Sequence, residues 1–445
     1  MSTFKEIPGK EKKIVFLILT FALILKIIFV FALSADIRSD SMVYDSIAKN
    51  IIKLGEYSFE GKPTATLSCG YPLFVAAIYK IFGASDLWVR LIQSILEVFT
   101  GFLFFLISLE FFKVKWSIVS LAIFTFLPSN LIFSQTILTE PLFGLLACIL
   151  LYYCLRENID SKIFFIGLVW GYAVLVRSSF SISLALLPLF LFINRRKLFE
   201  GFKQKRIKRV IQYTFLFVLG AVIVILPWLV RNKITMNTFT IATQGGFTFW
   251  SGSNPDATGT WYYKIEDSNP LFKIEDEATR DREFYILGLD YAIHNPHKFL
   301  VTGIKKLGYL FSSERLILLY FTKADSTGKT STEVYKSINP FWIALFNIPY
   351  MIIMLFGIWG LLALKKKRFF IYGFIFTWML TFFIFVALAR YHYVLIPFFV
   401  IGTIKLISEY RTIFRELNIP KKIIGVCFSL FLIVVWTGEF YLLYK

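Results

Sequence analysis

The sequence predicts an all-α polytopic membrane protein with about eleven transmembrane helices and a loop domain on the non-cytoplasmic side. Of the 445 residues, 57% are hydrophobic and only 17% are charged. A soluble domain is nearer half apolar and about a quarter charged. The charged residues also fall in clusters between long apolar runs, which is typical of a chain that has lipid as its solvent.

Eleven stretches are candidate spans, because a helix of about 20 apolar residues crosses the hydrocarbon core of a bilayer. The fifth and sixth are short for full spans, which leaves the number open by one or two. The candidates are residues 14–33, 88–112, 116–133, 137–155, 163–176, 179–193, 210–230, 340–363, 369–389, 392–408 and 423–442.

The distribution of positive charge predicts the orientation. With the amino terminus inside, every cluster of Lys and Arg falls in a cytoplasmic loop, including eight basic residues between Arg195 and Arg209. The positive-inside rule requires this asymmetry. The segment 231–338, with 13 basic and 12 acidic residues, is nearly neutral and falls outside. With eleven spans, the carboxy terminus is also outside.

The net charge of +19 does not indicate nucleic-acid binding. Most of the basic surplus lies in short loops, where it sets topology and meets anionic lipid headgroups. We therefore expect membrane lipids as partners and no nucleic acid.

Three parts follow from the pattern of spans. Residues 1–230 form an N-terminal transmembrane module that includes a first outer loop at 34–86. Residues 231–338 form the non-cytoplasmic loop domain, and residues 339–445 form the C-terminal transmembrane helices.

Each outer segment contains one predicted helix. In the first, apolar residues from Val43 to Leu54 recur at helical spacing, and Gly55 ends the pattern. In the second, a helix is predicted from about Asp276 to His294, where Asn295-Pro296 ends it.

Three acidic residues at the predicted outer boundary are candidates for chemistry. Asp36 and Asp40 follow the first span, and Glu140 lies among apolar residues at the start of the fourth. An ionised carboxylate there needs a partner, a metal or a water-filled cavity. Asp40 also fits a helix N-cap. Glu140 also fits an acid in a first helical turn, where the helix dipole favours negative charge.

Three arginines occupy the same boundary: Arg177, Arg231 and Arg390. Positive-inside bias disfavours arginine on this side, so a bound anion or a carboxylate partner is one interpretation. The other is interfacial snorkelling beside Trp228 and Tyr391, as in an aromatic belt. Because all three face the side that holds the unusual acids, we favour a site for an anionic headgroup.

Several common chemistries find no support in the sequence. There is no Walker-type glycine loop, no HExxH and no GxSxG with triad partners. Neither an ATP-driven nor a hydrolytic mechanism is indicated.

The boundary motifs, taken in order, resemble the polytopic glycosyltransferases of the GT-C fold. They are most similar to the family 39-like branch, which includes protein O-mannosyltransferases and the bacterial lipid A aminoarabinose transferase. Two positions depart from the pattern: Cys69 replaces the usual proline before Gly-Tyr-Pro, and Ser41 replaces a second acid after Asp40. The matching motifs are Ser39 to Ala48, Gly55-Glu56-Tyr57, Gly70 to Phe74, Thr139 to Phe143, Gly167 to Arg177, Pro227 to Asn232, Gly245 to Gly259 and Arg390-Tyr391.

This resemblance implies an inverting hexosyl- or pentosyltransferase that uses a polyprenyl-phosphate sugar donor. The acceptor would be a glycolipid, a protein or a cell-envelope glycan. The setting would be the cell membrane, with a prokaryotic plasma or inner membrane expected, and the site would lie on the non-cytoplasmic face.

The resemblance also implies roles for single residues. Asp40 matches the catalytic base. Arg231 and Arg390 are the first candidates for the phosphate, with Arg177 behind them. The remaining substrate-binding candidates are Tyr44, Glu140 and Tyr391. Glu140 would assist the acceptor, pair with an arginine or hold a divalent metal, so a metal cofactor stays open.

A transporter or flippase for lipid-linked saccharides is the alternative function. It too would need many spans and an anionic headgroup site. Transporters typically show internal repeats and charges near the bilayer midplane. This sequence shows no repeat, and its unusual charges cluster at the outer boundary. A purely structural scaffold would leave those charges unexplained.

Overall fold

The computed structural model describes residues 4–33, 35–156, 162–198, 206–261, 269–322, 331–365 and 367–444, and in them it is almost entirely helical. One short antiparallel hairpin joins β1 (Ser58–Phe59) and β2 (Lys62–Pro63). The predicted all-α polytopic class is confirmed. The helices are α1 (Gly9–Ala32), α2 (Asp40–Leu54), α3 (Gly70–Phe82), α4 (Asp86–Ser108), α5 (Val114–Phe126), α6 (Pro128–Ile132), α7 (Glu140–Cys154), α8 (Ile163–Val176), α9 (Leu186–Ile193), α10 (Arg195–Leu198), α11 (Arg206–Met236), α12 (Gly245–Ser251), α13 (Glu277–His294), α14 (Pro296–Leu310), α15 (Arg315–Leu319), α16 (Ser331–Ser337), α17 (Pro340–Leu362), α18 (Arg368–Ile384), α19 (Ile396–Glu416) and α20 (Ile419–Tyr444).

Six helices in the described part of the chain are long and apolar enough to cross a membrane: α1, α4, α11, α17, α19 with the turn before it, and α20. A seventh candidate is the pair α5 and α6, which is bent by 60° at Leu127. Shorter apolar helices fall at the four remaining predicted spans: α7, α8, the segment 178–193 and α18.

Glycines allow two pairs of apolar helices to pack with their backbones in contact. A Cβ added to Gly171 of α8 would lie 2.7 Å from the carbonyl oxygen of Ala221 in α11. A Cβ added to Gly357 of α17 would lie 2.6 Å from the carbonyl oxygen of Phe399 in α19. Small residues at such crossings let helices approach closely in lipid, where van der Waals packing drives association. The two pairs α8–α11 and α17–α19 are therefore closely locked.

Two segments keep the names of their predicted side: residues 34–86 are the first outer segment and residues 231–338 the second. The first contains α2, the hairpin and α3. The predicted amphipathic helix is confirmed as α2, and Gly55 ends it in the left-handed conformation with φ 72°. Glycine adopts this conformation without a Cβ clash, as is common after the end of a helix. At its other end, α2 begins with Asp40, and this helix is not one of the candidate spans.

The second outer segment contains α12 to α16. The predicted helix is confirmed as α13: the Asp276 side chain accepts a hydrogen bond from the Thr279 amide at 2.8 Å, and the helix ends at His294 before Asn295-Pro296. At the start of this segment, α11 continues past residue 230 to Met236, so Arg231 lies inside a helix.

Candidate active site

Three breaks in the helices place charged residues close together. Arg177 directly follows α8, and a 3-10 turn at 178–185 separates it from α9. Arg390 lies in a 3-10 turn at 389–395 between α18 and α19. Glu140 opens α7 after the irregular segment that follows α6. Irregular backbone at membrane depth is tolerated where it is buried in protein or lines a cavity.

Arg390 joins two carboxylates from different parts of the chain. Its Nη2 donates to the carboxylate of Asp40, and its Nε lies 3.6 Å from Oε1 of Glu140. Nη2 of Arg177 lies 3.4 Å from the same Glu140 oxygen. The structure thus brings together four of the residues predicted from the sequence: Asp40, Glu140, Arg177 and Arg390. We call these four residues the charge cluster.

The two carboxylates differ in exposure. The Asp40 side chain is 39% exposed, whereas that of Glu140 is 1% exposed. An incoming molecule therefore reaches Asp40 and not Glu140. Glu140, held between two arginines, is suited to fix their guanidinium groups, because an ionised buried acid needs such partners.

The Asp40 side chain pairs with Arg390, and Asp40 is the first residue of α2 rather than its N-cap. Ser39 occupies the N-cap position of α2, and its side chain makes no capping hydrogen bond. The alternative role of Asp40 as an N-cap therefore has no support in the geometry.

Arg177 is packed on aromatic rings and keeps one free donor. Its guanidinium carbon lies 4.4 Å from the centre of the Tyr391 ring and 5.6 Å from that of Trp378. Within the described residues, its buried Nη1 has no hydrogen-bond partner. A buried donor without a partner is costly, so this atom is well suited to meet an anionic oxygen. The sequence had placed Arg177 behind the other two arginines.

Tyr44 lies one helical turn after Asp40 and beside the charge cluster. It is buried, and its ring meets the Tyr71 ring edge-on with centres 4.9 Å apart. Burial raises the pKa of Tyr44 well above its usual range, and the negative charge of Asp40 raises it further. The hydroxyl therefore keeps its proton at physiological pH and can act as a hydrogen-bond donor.

Tyr320 belongs to the site but was not predicted. Its hydroxyl accepts a hydrogen bond from Nη1 of Arg390 at 3.1 Å, and its carbonyl accepts one from the Asp36 amide at 2.9 Å. The guanidinium carbon of Arg38 lies 5.5 Å from the centre of the Tyr320 ring. Burial raises the pKa of Tyr320 to about 12. The one sequence signal was the apolar run Leu316 to Phe321 inside an otherwise polar segment.

Arg231 makes a different set of contacts. It donates to the carbonyl oxygens of Tyr57 and Thr64, both at 2.7 Å, and its guanidinium carbon lies 5.0 Å from the Trp228 ring centre. These carbonyls belong to the first outer segment. Arg231 is thus engaged in holding the hairpin, whereas Arg177 and Arg390 form the charge cluster.

Glu277 of α13 holds the same hairpin region from the second outer segment. Its carboxylate accepts from the Ala65 amide at 2.6 Å and from the hydroxyls of Thr64 and Thr66 at 3.0 and 3.1 Å. It also accepts from the Thr243 hydroxyl. The two outer segments are therefore joined directly by hydrogen bonds.

A metal ion does not fit the charge cluster well. Asp40 and Glu140 both face Arg390, and a cation bound between them would have to displace its guanidinium group. Across the described ranges, no group of three or more His, Cys, Asp or Glu side chains is arranged to hold a metal ion.

Comparisons with known proteins give matches among solved structures. No protein-family model matches the sequence, and no curated protein matches it. The chain is similar to the S. cerevisiae protein O-mannosyltransferase Pmt1-Pmt2 complex bound to the sugar donor, with 13% identity and a TM-score of 0.41. This match covers 59% of the present chain and 37% of the mannosyltransferase chain.

The chain is also similar to ArnT from Cupriavidus metallidurans bound to undecaprenyl phosphate. Here the identity is 12% and the TM-score 0.45, with 91% of the present chain and 81% of the ArnT chain covered. Both solved structures belong to the group of membrane glycosyltransferases that the sequence motifs resemble. At TM-scores below 0.5, the likeness carries no argument about the substrate or chemistry of this chain.

Proposed function

We propose that this chain is a membrane glycosyltransferase of the GT-C fold. It transfers a hexose or pentose from a polyprenyl-phosphate donor to an acceptor on the non-cytoplasmic face. The observation that carries the proposal is the charge cluster: a solvent-accessible carboxylate, Asp40, pairs with Arg390, and the buried acid Glu140 lies between Arg390 and Arg177. The ordered sequence motifs at the predicted outer boundary agree with it.

The proposed reaction needs positive charge where the leaving group develops negative charge. As the acceptor oxygen or nitrogen bonds to the anomeric carbon, the bond from that carbon to the phosphate oxygen breaks. The polyprenyl phosphate then leaves with the bonding electron pair. Arg390 and the free Nη1 of Arg177 are our candidates to bind that phosphate, with Tyr391 supporting Arg177.

The same reaction needs a base for the proton of the acceptor, and we assign this role to Asp40. Before the donor arrives, Asp40 is paired with Arg390. A phosphate that takes over the guanidinium group would release the carboxylate, which then stands next to the acceptor. Tyr44 and Tyr320 supply hydroxyls beside the reacting groups. No step in this scheme requires a metal ion.

Asp40→Asn tests the base. The substitution keeps shape but removes basicity, and general-base catalysis contributes about 10²- to 10⁴-fold. We expect transfer to fall by about that factor, while binding of undecaprenyl phosphate and the thermal unfolding midpoint stay near wild type. Transfer is followed by mass spectrometry of cell-envelope glycans and glycoproteins, in cells with and without the chain.

Asp36→Asn is the matched control, since this acid lies close in sequence but outside the charge cluster. Near wild-type transfer by the Asp40→Asn variant would contradict the assignment. Loss in Asp36→Asn alone would pass the role to Asp36. Unchanged glycans upon removal of the chain would contradict the transferase proposal itself.

A further inference from the structure

A buried ion pair lies between two spanning helices, outside the charge cluster. Lys26 of α1 and Glu97 of α4 are 2% and 6% exposed, and the Lys26 ammonium donates to the Glu97 carboxylate. Charged side chains inside spans are costly and are usually tied to function. Replacing a buried ion pair with apolar residues is often neutral for stability. Stability alone therefore does not explain this pair.

Lys26 and Glu97 also form hydrogen bonds with two segments in which a helix is interrupted. Lys26 also donates to the carbonyl oxygen of Asn130 and, at 3.4 Å, to that of Leu131. These carbonyls belong to α6, directly after the 60° bend. On the other side, Oε1 of Glu97 accepts from the Tyr393 hydroxyl at 3.1 Å, and Tyr393 lies in the 3-10 turn 389–395.

The segments joined in this way carry the charge cluster. The chain leaves α1 and reaches Asp40, leaves α6 and reaches Glu140, and carries Arg390 in the same turn as Tyr393. A helix break frees backbone carbonyls, and each broken segment is held by few regular hydrogen bonds. A single fixed pair that contacts α1, α6 and this turn therefore constrains the relative placement of three members of the charge cluster.

We infer that Lys26 and Glu97 are positioning residues that hold Asp40, Glu140 and Arg390 in register through α1, α6 and Tyr393. The expected effect of these two residues on sugar transfer rests on the proposed function. Their effect on the placement of α6 and the turn 389–395 does not. Placement matters for catalysis, because a displacement of about 1 Å can cost about 10²-fold in rate.

Two variants test separately the contact of Glu97 with Tyr393 and the contacts of Lys26 with α6. Tyr393→Phe removes only the hydroxyl that contacts Glu97 and keeps the ring, which packs on Phe133 with centres 4.6 Å apart. The double variant Lys26→Met/Glu97→Gln removes both charges, so no buried charge is left alone, and it keeps an acceptor for Tyr393. It releases the carbonyls of Asn130 and Leu131.

Hydrogen–deuterium exchange of the purified protein measures the result without any substrate. For Tyr393→Phe we expect exchange in peptides covering 389–395 to rise about 3- to 10-fold, the effect of one lost hydrogen bond. For the double variant we expect the rise in peptides covering 128–139. In both, the thermal midpoint should change little, and transfer should fall about 10-fold or more.

The matched control is Lys367→Met/Glu110→Gln. This pair also joins distant segments through a buried carboxylate, but it lies at the end of α18 opposite to Arg390. It should leave exchange at 389–395 and 128–139, and transfer, at wild-type values. Wild-type exchange in both test variants would overturn the inference, as would equal losses of transfer in test and control variants. If the wild-type chain transfers no sugar, the proposed function fails, while the exchange data still decide the positioning role.

Discussion

Arg390 is shared between Asp40, which an incoming molecule can reach, and Glu140, which it cannot. Under the proposed function, a donor phosphate would compete with Asp40 for the guanidinium group, while Glu140 keeps that group in place. Arg177 supplies a second, unpaired donor on the other side of Glu140. At the scale of single residues, the contacts separate Arg177 and Arg390, our candidates to bind the phosphate, from Arg231, which holds the hairpin.

We expect Arg390→Ala and Arg177→Ala each to weaken binding of undecaprenyl phosphate by about 10-fold or more. Each change removes charge-assisted hydrogen bonds worth about 1.5–3 kcal/mol. Arg390→Lys should restore only part of the affinity if the contact is bidentate. Native mass spectrometry of the purified protein with added lipid measures the binding.

Arg231→Ala is the comparison variant for this experiment. Its guanidinium group is already engaged by the carbonyls of Tyr57 and Thr64, so affinity should change little while the hairpin loosens. An equal loss of affinity in Arg231→Ala would instead return this residue to the phosphate site, as the sequence predicted.

The sequence predicted which end of a span each of these residues occupies, but not its neighbours. A charged residue at the end of an apolar span can be recognised from the sequence alone. This is why Asp40, Glu140, Arg177 and Arg390 were selected as candidates. Whether a guanidinium group meets a carboxylate or a backbone carbonyl depends on how non-adjacent helices pack. Arg231 was therefore grouped with the other arginines.

The pair Lys26–Glu97 was missed although the sequence contained its signal. Each is a charged residue inside a predicted apolar span, at 14–33 and 88–112. A charge inside a span indicates a partner in another span, but the sequence does not indicate which one.

At the scale of elements, α12 and α13 pack through a contact that excludes any side chain. A Cβ on Gly246 would overlap the Asp281 carbonyl oxygen, and the Gly246 amide donates to the Asp281 carboxylate at 2.6 Å. Burial raises the pKa of Asp281 from 3.8 to about 6, so the folded state binds the Asp281 proton more tightly than the unfolded state does. The free energy of unfolding gained in this way is fully present below about pH 4 and is lost as the pH rises through about 6.

Asp281→Asn should remove this pH dependence, because the amide oxygen still accepts from Gly246 and carries no charge. We expect the variant to be the more stable protein at pH 7 and the difference from wild type to shrink toward pH 4.5. Thermal unfolding midpoints of both proteins across this range measure the difference. Parallel curves for the two proteins would show that Asp281 titrates normally.

Element boundaries were predictable where local chemistry decides them. The ends of α2 and α13 were found from Gly55 and Asn295-Pro296, since left-handed glycine and proline act within a few residues. Span boundaries were predicted at 176–179 and 389–392, but the 60° bend at Leu127 and the 3-10 form of the turns at 178–185 and 389–395 were not. Their backbone groups are satisfied by partners distant in sequence, such as Lys26.

At the scale of the whole molecule, the orientation stays a prediction that topology reporters can test. A reporter placed between α14 and α17 should read as non-cytoplasmic, and one placed within 195–209 as cytoplasmic. The reason is the excess of Lys and Arg in the second segment and the near neutrality of 231–338. Reversed labelling of both positions would put the charge cluster on the cytoplasmic side and contradict the proposed face of transfer.

The two glycine-locked helix pairs have a consequence for the proposed reaction. Arg177 follows directly from α8, which is locked to α11, and Arg390 precedes α19, which is locked to α17. Asp40 begins α2 in an outer segment, outside both pairs. Under the proposed function, Asp40 would move with the segment that contains α2 when an acceptor enters or a product leaves. Arg177 and Arg390 lie next to helices whose backbones touch a partner helix, so we expect these two arginines to stay in place.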